Sequence, residues 1–199
     1  MARLASISVS TVWLLFPSVG FAEAPQLTEE QQQAYTQKVR LAAKTLGQTL
    51  KSKLVKALSE GGPLSAIDVC AIEAPEIAET VSDQFGVAVG RRALKVRNSE
   101  NAPDAWETEA LLQFDQAIAA GDNPTTLETS EIVDGAEGPV FRWAKAIPTG
   151  GPCLTCHGPS VKPEIRAAIL ERYPSDKAVG FKPGSLRGIF TVSAAVGDD

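Results

Sequence analysis

Residues 125–147 read TTLETSEIVDGAEGPVFRWAKAI, and this stretch decides the fold class. Two strand candidates, 125–133 and 140–147, flank Gly135 and Gly138-Pro139, residue types that are typical of hairpin turns. On an alternating strand, three residues of the second candidate share one side: Phe141, Trp143 and Lys145. The stretch therefore predicts an antiparallel hairpin within a larger sheet.

Helices and two further strands are predicted around this hairpin. Thr28 and Gln31 have the spacing of a capping box, which predicts a long helix from Thr28 to about Leu58 that ends at the Gly-Gly-Pro of 61–63. The remaining expected elements are helices over 64–85 (broken at Pro75), 103–120 and 163–173, and strands over 87–96 and 189–196. This order predicts a single α+β domain, an antiparallel sheet with flanking helices and a long N-terminal helix.

The first 22 residues have the pattern of an export signal. Arg3 gives a basic start, residues 4–16 are mostly apolar and uncharged, and Ala22 offers a small residue for cleavage. The apolar run is shorter than the roughly 20 residues that a membrane-spanning helix needs. We expect residues 1–22 to be removed, residues 23–199 to form one domain without a membrane span, and the protein to reside in the periplasm. The alternative is an uncleaved anchor or a disordered tail.

The net charge and the cysteine count restrict which partners and which cysteine chemistry are expected. With 19 Lys and Arg against 24 Asp and Glu, the net charge is −5, which argues against nucleic acid and anionic lipid as partners. Cysteines of exported proteins normally pair, yet three cysteines cannot all pair. Two of them lie beside the only histidine of the chain.

Cys153-Leu154-Thr155-Cys156-His157 has the C-x-x-C-H spacing of covalent haem attachment. Two thiols in one tight turn can each add to a vinyl group of the same porphyrin, and the adjacent histidine can coordinate the iron. A lone C-x-x-C is also found in redox dithiols and as half of a zinc site. A zinc site would need two more ligands, and only Cys70 remains. The motif therefore predicts one covalent haem c.

The second axial ligand is less determined. His157 is the only histidine, and Met1, the only methionine, falls in the predicted signal, so a second histidine or a methionine is excluded within one mature chain. The residues alone leave the Cys70 thiolate, a lysine, a tyrosine, the new N-terminal amine, water or an open site. Cys70 would equally suit a small buried apolar position.

Arginines are candidates for the haem propionates. Arg91, Arg92 and Arg97 can each pair with a carboxylate through two N–H groups at once, although any of them could be an ordinary solvated charge. The ring N–H of His157 is expected to donate to a backbone carbonyl just downstream.

Several segments resemble the c-type haem domains with a PAS-like fold, over most of the predicted mature chain. The matching segments are Val69-Cys70 with Glu73 and Ala74, the stretch Arg97-Asn98 to Asn101 with Pro103 and Trp106-Glu107, Cys153 to His157, and Gly188-Ile189-Phe190. Ser99 departs from the pattern, since the family often has proline there. The resemblance implies a PAS-like fold and axial ligation by His157 and Cys70.

Two functions are compatible with these features. One is a haem-based redox or gas sensor, whose partner would be a redox protein or a small gaseous ligand, with the long helix as a candidate homodimer contact. The alternative is a soluble periplasmic electron carrier. An enzyme is not expected, because peroxidase-type chemistry needs a distal acid or base such as histidine, and no second histidine is present.

Overall fold

The computed structural model describes residues 27–197, so the predicted signal peptide, residues 1–22, lies outside the described residues. A four-stranded antiparallel sheet has the order β1-β4-β3-β2, with β1 (Ala88–Arg92), β2 (Glu128–Gly135), β3 (Gly138–Pro148) and β4 (Leu186–Ala195). Helices α1 (Glu29–Asp68) and α2 (Ala74–Phe85) cover one face, and α3 (Ala105–Ala119) covers the other. The predicted α+β class, with a long N-terminal helix and flanking helices, is confirmed. No helix within 27–197 is both long and apolar enough to cross a membrane.

The sheet has an apolar core on each face. On the α1 side, Leu46 packs with Phe141, Trp143 and Val192, all of which are almost fully buried. On the α3 side, Leu111 and Phe114 pack against apolar side chains of β3 and β4. Burying each large apolar side chain stabilises the fold by roughly 1.5–3 kcal/mol. The sheet is therefore held from both faces.

The predicted hairpin is present, and its register is fixed by the turn. Gly135 pairs with Gly138, and Gly138 has a φ of 126°, a conformation that side-chain-bearing residues rarely adopt. Phe141 and Trp143 face the same core, as the alternation predicted. The strand ends differ from the predicted ones by one to three residues.

Helix α1 begins as predicted but does not end at the Gly-Gly-Pro segment. Thr28 and Gln31 form the capping box. At Gly62 the backbone leaves the helical region, with φ 72° and ψ −168°, and helix resumes through Pro63 to Asp68. Gly-Gly-Pro is thus a kink, and the helical segment beyond it carries Ile67 into a cluster with Ile165 and Ile169.

A π-helical turn, Val69–Glu73, joins α1 to α2. The backbone N–H of Ala74 donates to the carbonyl of Val69. Pro75 follows in the first turn of α2 and has no N–H, so the wider turn accommodates a proline that would clash inside a regular α-helix. Cys70 therefore lies on π-helical backbone, whereas the segments before and after it are α-helical.

Candidate functional site

The C-x-x-C-H residues lie on one tight turn. A short 3₁₀ turn, Gly151–Cys153, runs into the single-turn helix α4 (Leu154–His157). The N–H of Gly158 donates to the Leu154 carbonyl at 2.9 Å, and a Cβ on Gly158 would lie 2.5 Å from that oxygen, so only glycine fits. Cys153 and Cys156 are half-buried free thiols. The turn therefore places both thiols and His157 together.

The His157 ring is oriented by a distant carbonyl. Its Nδ1 lies 2.7 Å from the carbonyl oxygen of Ala178. Because a carbonyl can only accept, Nδ1 carries the proton and Nε2 is the atom available to a metal. Burial, assisted by the charges of Arg187 and Arg97, lowers the pKa of His157 to about 3, so the ring is neutral at physiological pH. The acceptor was expected just downstream, but it lies 21 residues away.

The segment from 176 to 181 returns the chain to this turn. Gly180 N–H donates to the Gly158 carbonyl and Phe181 N–H to the His157 carbonyl, each at 3.0 Å. The Phe181 ring meets the imidazole of His157 edge-on, with 6.2 Å between ring centroids. The histidine is thus held through its ring and its backbone.

Arg97 and Asp176 tie this segment to the cysteine turn. The Asp176 carboxylate is fully buried and accepts from Nε of Arg97 at 3.0 Å, from Arg166, and from the backbone N–H of Ala178 at 3.0 Å. The Nη2 of Arg97 donates to the Cys156 carbonyl at 2.6 Å and to the Ala178 carbonyl at 3.3 Å. Arg97 therefore orients the groups that hold His157, and two of its three nitrogens are committed to protein acceptors.

Helix α5 (Pro163–Arg172) connects Cys70 with the cysteine turn. Its Ile165 and Ile169 form a buried apolar cluster with Ile67, three residues before Cys70, and Cys156 packs against this cluster. Beyond α5, the hydroxyl of Tyr173 approaches the Cys70 carbonyl at 3.5 Å.

The two ends of this connection also interact electrostatically. Burial raises the pKa of the Cys156 thiol; the charge of Arg97 opposes this rise, and a thiolate at Cys70 would add to it, as nearby anionic groups do. Cys70 and the motif thus belong to one region, although Cys70 and Cys153 are far apart in the chain.

Arg91, Arg92 and Arg187 differ in their surroundings. Arg92 pairs with Glu107 of α3 at 3.2 Å, on the face of the sheet that α3 covers. Arg91 pairs with Phe190 of β4 and follows the core residue Val89 by two positions, so it lies on the α1 face of the sheet, opposite to Arg92. Burial lowers the pKa of the Arg91 guanidinium, and a thiolate at Cys70 would partly oppose this. Arg187 was not predicted. Nothing local in the sequence indicates its role, because its position depends on how β3 and β4 pair.

Other segments of the predicted family pattern stabilise the fold. Asp104 and Glu107 form the capping box of α3, and the buried Glu107 also accepts from two arginines. A Cβ on Gly188 would lie 2.4 Å from the Arg92 carbonyl, so β1 and β4 can pair here only around a glycine. These residues hold the sheet and α3 in place.

The comparisons with known proteins agree with this fold. The sequence profile of the family described as Tll0287-like matches residues 23–195. The chain belongs to this family. Among solved structures, the crystal structure of the cyanobacterial heme-protein Tll0287 is similar, with a TM-score of 0.61 and 24% sequence identity over 87% of this chain and 99% of that chain. This likeness shows that the Tll0287-like chain shares that fold. No curated protein matched the sequence.

Proposed function

We propose that this Tll0287-like protein is a monohaem c-type cytochrome, with one haem bound covalently to Cys153 and Cys156. The observation that carries the proposal is the geometry of the turn: two free thiols, and a neutral His157 whose Nδ1 is fixed and whose Nε2 is available. Similarity to a protein described as a haem protein supports the same cofactor. When bound, haem supplies reversible one-electron chemistry at iron.

The chain provides groups suited to each part of a haem. The Cys153 and Cys156 thiols would each add across one vinyl group, forming a carbon–sulfur bond and giving the thiol hydrogen to the other vinyl carbon, with no net oxidation. Nε2 of His157 would be the first axial ligand. Ile72 and Leu94 are large apolar side chains that are about half exposed (52% and 45%) and lie close in sequence to Cys70 and Arg91. The residues present therefore fit the group.

We assign the second axial position to Cys70. The π turn around it and the packing of α5 against both Ile67 and Cys156 support this assignment. An anionic sulfur ligand donates electron density, so we expect a lower reduction potential than a His/Met pair would give. The π turn lies between the Gly62 kink and Pro75, so Cys70 would hold the iron from a segment of irregular helical backbone.

The proposed role is redox or gas sensing in the periplasm, after removal of residues 1–22, on a PAS-like domain and without enzymatic turnover. The partner would be a redox protein or a small gaseous ligand, and α1 is a candidate homodimer contact. A soluble electron carrier is the second candidate. It is favoured by the exposure of Gly150, Gly151, Pro152 and Thr155, which keeps the turn within reach of a partner surface.

Optical and EPR spectra of the ferric protein test the ligand assignment. Wild type should show a low-spin, thiolate-ligated signature that Cys70→Ala abolishes. Glu73→Gln, in the same π turn but without a sulfur atom, is the matched control and should keep the signature, because the Glu73 side chain is partly exposed and pairs with Lys53. A Cys70→Ala spectrum identical to wild type would remove Cys70 from the site.

Ligand binding after reduction separates the two roles. A sensor should bind carbon monoxide or nitric oxide tightly with loss of the native sulfur ligand. A carrier should exchange electrons rapidly with a second cytochrome while its ligands stay in place.

A further inference from the structure

Positive charge is concentrated near His157 in a chain that is acidic as a whole. The Phe181 ring packs against His157. The Arg187 guanidinium lies 5.2 Å from the centroid of this ring, and the Lys95 ammonium lies 5.3 Å from it. The net charge of the chain is −5. A local excess of positive charge attracts anions, so this region is a candidate anion-binding site.

An irregularity in the sheet directs Arg187 to this region. Ile147 pairs with Gly188 and Pro148 with Leu186, so Arg187 has no partner on β3. An extra residue of this kind bends its strand and re-aims the side chain. Instead of continuing the alternation of β4, Arg187 stacks on Phe181 beside the histidine.

The Asp176 carboxylate, which lies in the same region, is already engaged. Asp176 is shared between Arg97 and Arg166 and also accepts from the backbone of Ala178. Among residues 27–197, neither Arg91 nor Arg187 forms an ion pair. Burial, then repulsion from Arg97 and Arg91, lowers the pKa of Arg187 to about 10. Arg91 and Arg187 are half-buried, and a charge partly removed from water without a counter-ion is costly, so an occupant that supplies negative charge would relieve this cost.

We propose that Arg187 and Arg91 form a carboxylate-binding pair. The inference rests on the proposed function in one respect: in the loaded protein the carboxylates would be the haem propionates. A free small carboxylate is the other source with the same chemistry. Guanidinium suits either, because its planar N–H groups match the two oxygens of a carboxylate.

The reduction potential of the haem-loaded protein, measured against pH from 5 to 8, tests the pair. Losing a cation beside a propionate stabilises the ferric state and raises the pKa of that propionate. Arg187→Gln and Arg91→Gln should therefore show a lower potential at pH 8 and a steeper rise as pH falls. Arg40→Gln, which also removes one positive charge but pairs with Glu128 at the β2 edge, should follow wild type. Profiles of both test variants identical to that of Arg40→Gln would overturn the proposal.

A conservative variant and added formate complete the experiment. Arg187→Lys keeps the charge but loses the two-pronged N–H geometry, so a smaller shift in the same direction is expected. If Arg187→Gln does not fold, an Arg187→Lys profile identical to wild type overturns the pair. Formate should leave loaded wild type unchanged if propionates fill the pair. A formate effect that Arg187→Gln abolishes would identify a free carboxylate instead.

The experiment distinguishes failure of the cytochrome proposal from failure of the arginine proposal. If wild type takes up no haem, the cytochrome proposal fails, and formate binding to the unloaded chain tests the arginines by themselves. Binding that is lost in Arg187→Gln and kept in Arg40→Gln supports the pair, and absence of binding overturns it.

Discussion

Replacing Asp176 with alanine should destabilise the domain more than any single change at the surface. The Asp176 carboxylate is fully buried, and the side chain of its partner Arg97 is only 10% exposed. Removing one member of a buried pair leaves the other charge uncompensated and costs about 3–5 kcal/mol. The contact with Arg166, whose side chain is 31% exposed, adds less than about 1 kcal/mol. We expect a loss of about 3–5 kcal/mol in the free energy of unfolding.

Urea unfolding followed by circular dichroism measures this loss. The control is Asp68→Ala, because Asp68 pairs with Arg172 at 2.5 Å but both side chains are about half exposed. That variant should cost at most about 1 kcal/mol. If Asp176→Ala and Asp68→Ala cost the same within about 1 kcal/mol, the reasoning about burial is refuted.

The same variant has a predicted pH dependence. Burial would raise the pKa of Asp176, but the hydrogen bonds from Arg97 and Ala178 outweigh it and hold that pKa below its ordinary value of 3.8. A carboxyl whose pKa is lowered by folding contributes its stability fully above the unfolded value, about pH 4, and loses it as pH falls through the folded value. The difference between wild type and Asp176→Ala should therefore be constant above about pH 5 and shrink below about pH 4.

Three further predictions concern the fold and use the same unfolding measurement. Gly188→Ala should cost about 1–3 kcal/mol, because its Cβ would collide with the Arg92 carbonyl; a neutral result would contradict the close pairing of β1 and β4. Gly62→Ala should cost about 1–2 kcal/mol because of the φ of 72°, and a stabilised variant would show that the kink is not needed. Glu107→Ala should cost about 3 kcal/mol, since Glu107 is 4% exposed and serves both a capping box and two arginines. A cost under about 1 kcal/mol would show that these arginines find other partners.

Local patterns predicted most of the elements. The hairpin follows from Gly135 and Gly138 beside alternating apolar residues, and α3 follows from the capping residues at its start. Both signals act over a few residues, so a single sequence contains them. The Gly-Gly-Pro segment was misread as an end because the reason for continuing, packing of Ile67 on α5, is a long-range contact.

The site could be predicted only where its residues are adjacent in sequence. Cys153, Cys156 and His157 share one turn, and their spacing predicted their proximity. The Ala178 carbonyl and the side chain of Arg187 reach His157 through chain return and strand register, which leave no local signature. The arrangement of Arg97 with Asp176 likewise joins residues 79 positions apart.

The mass of the intact protein under denaturing conditions tests the central claim most directly. After expression with a haem-attachment system, wild type should carry the added mass of one haem, which denaturation does not remove. The double variant Cys153→Ala, Cys156→Ala should lack it, and Cys70→Ala should retain it. A wild-type chain of unmodified mass, with both thiols of the turn free to react, would contradict covalent attachment.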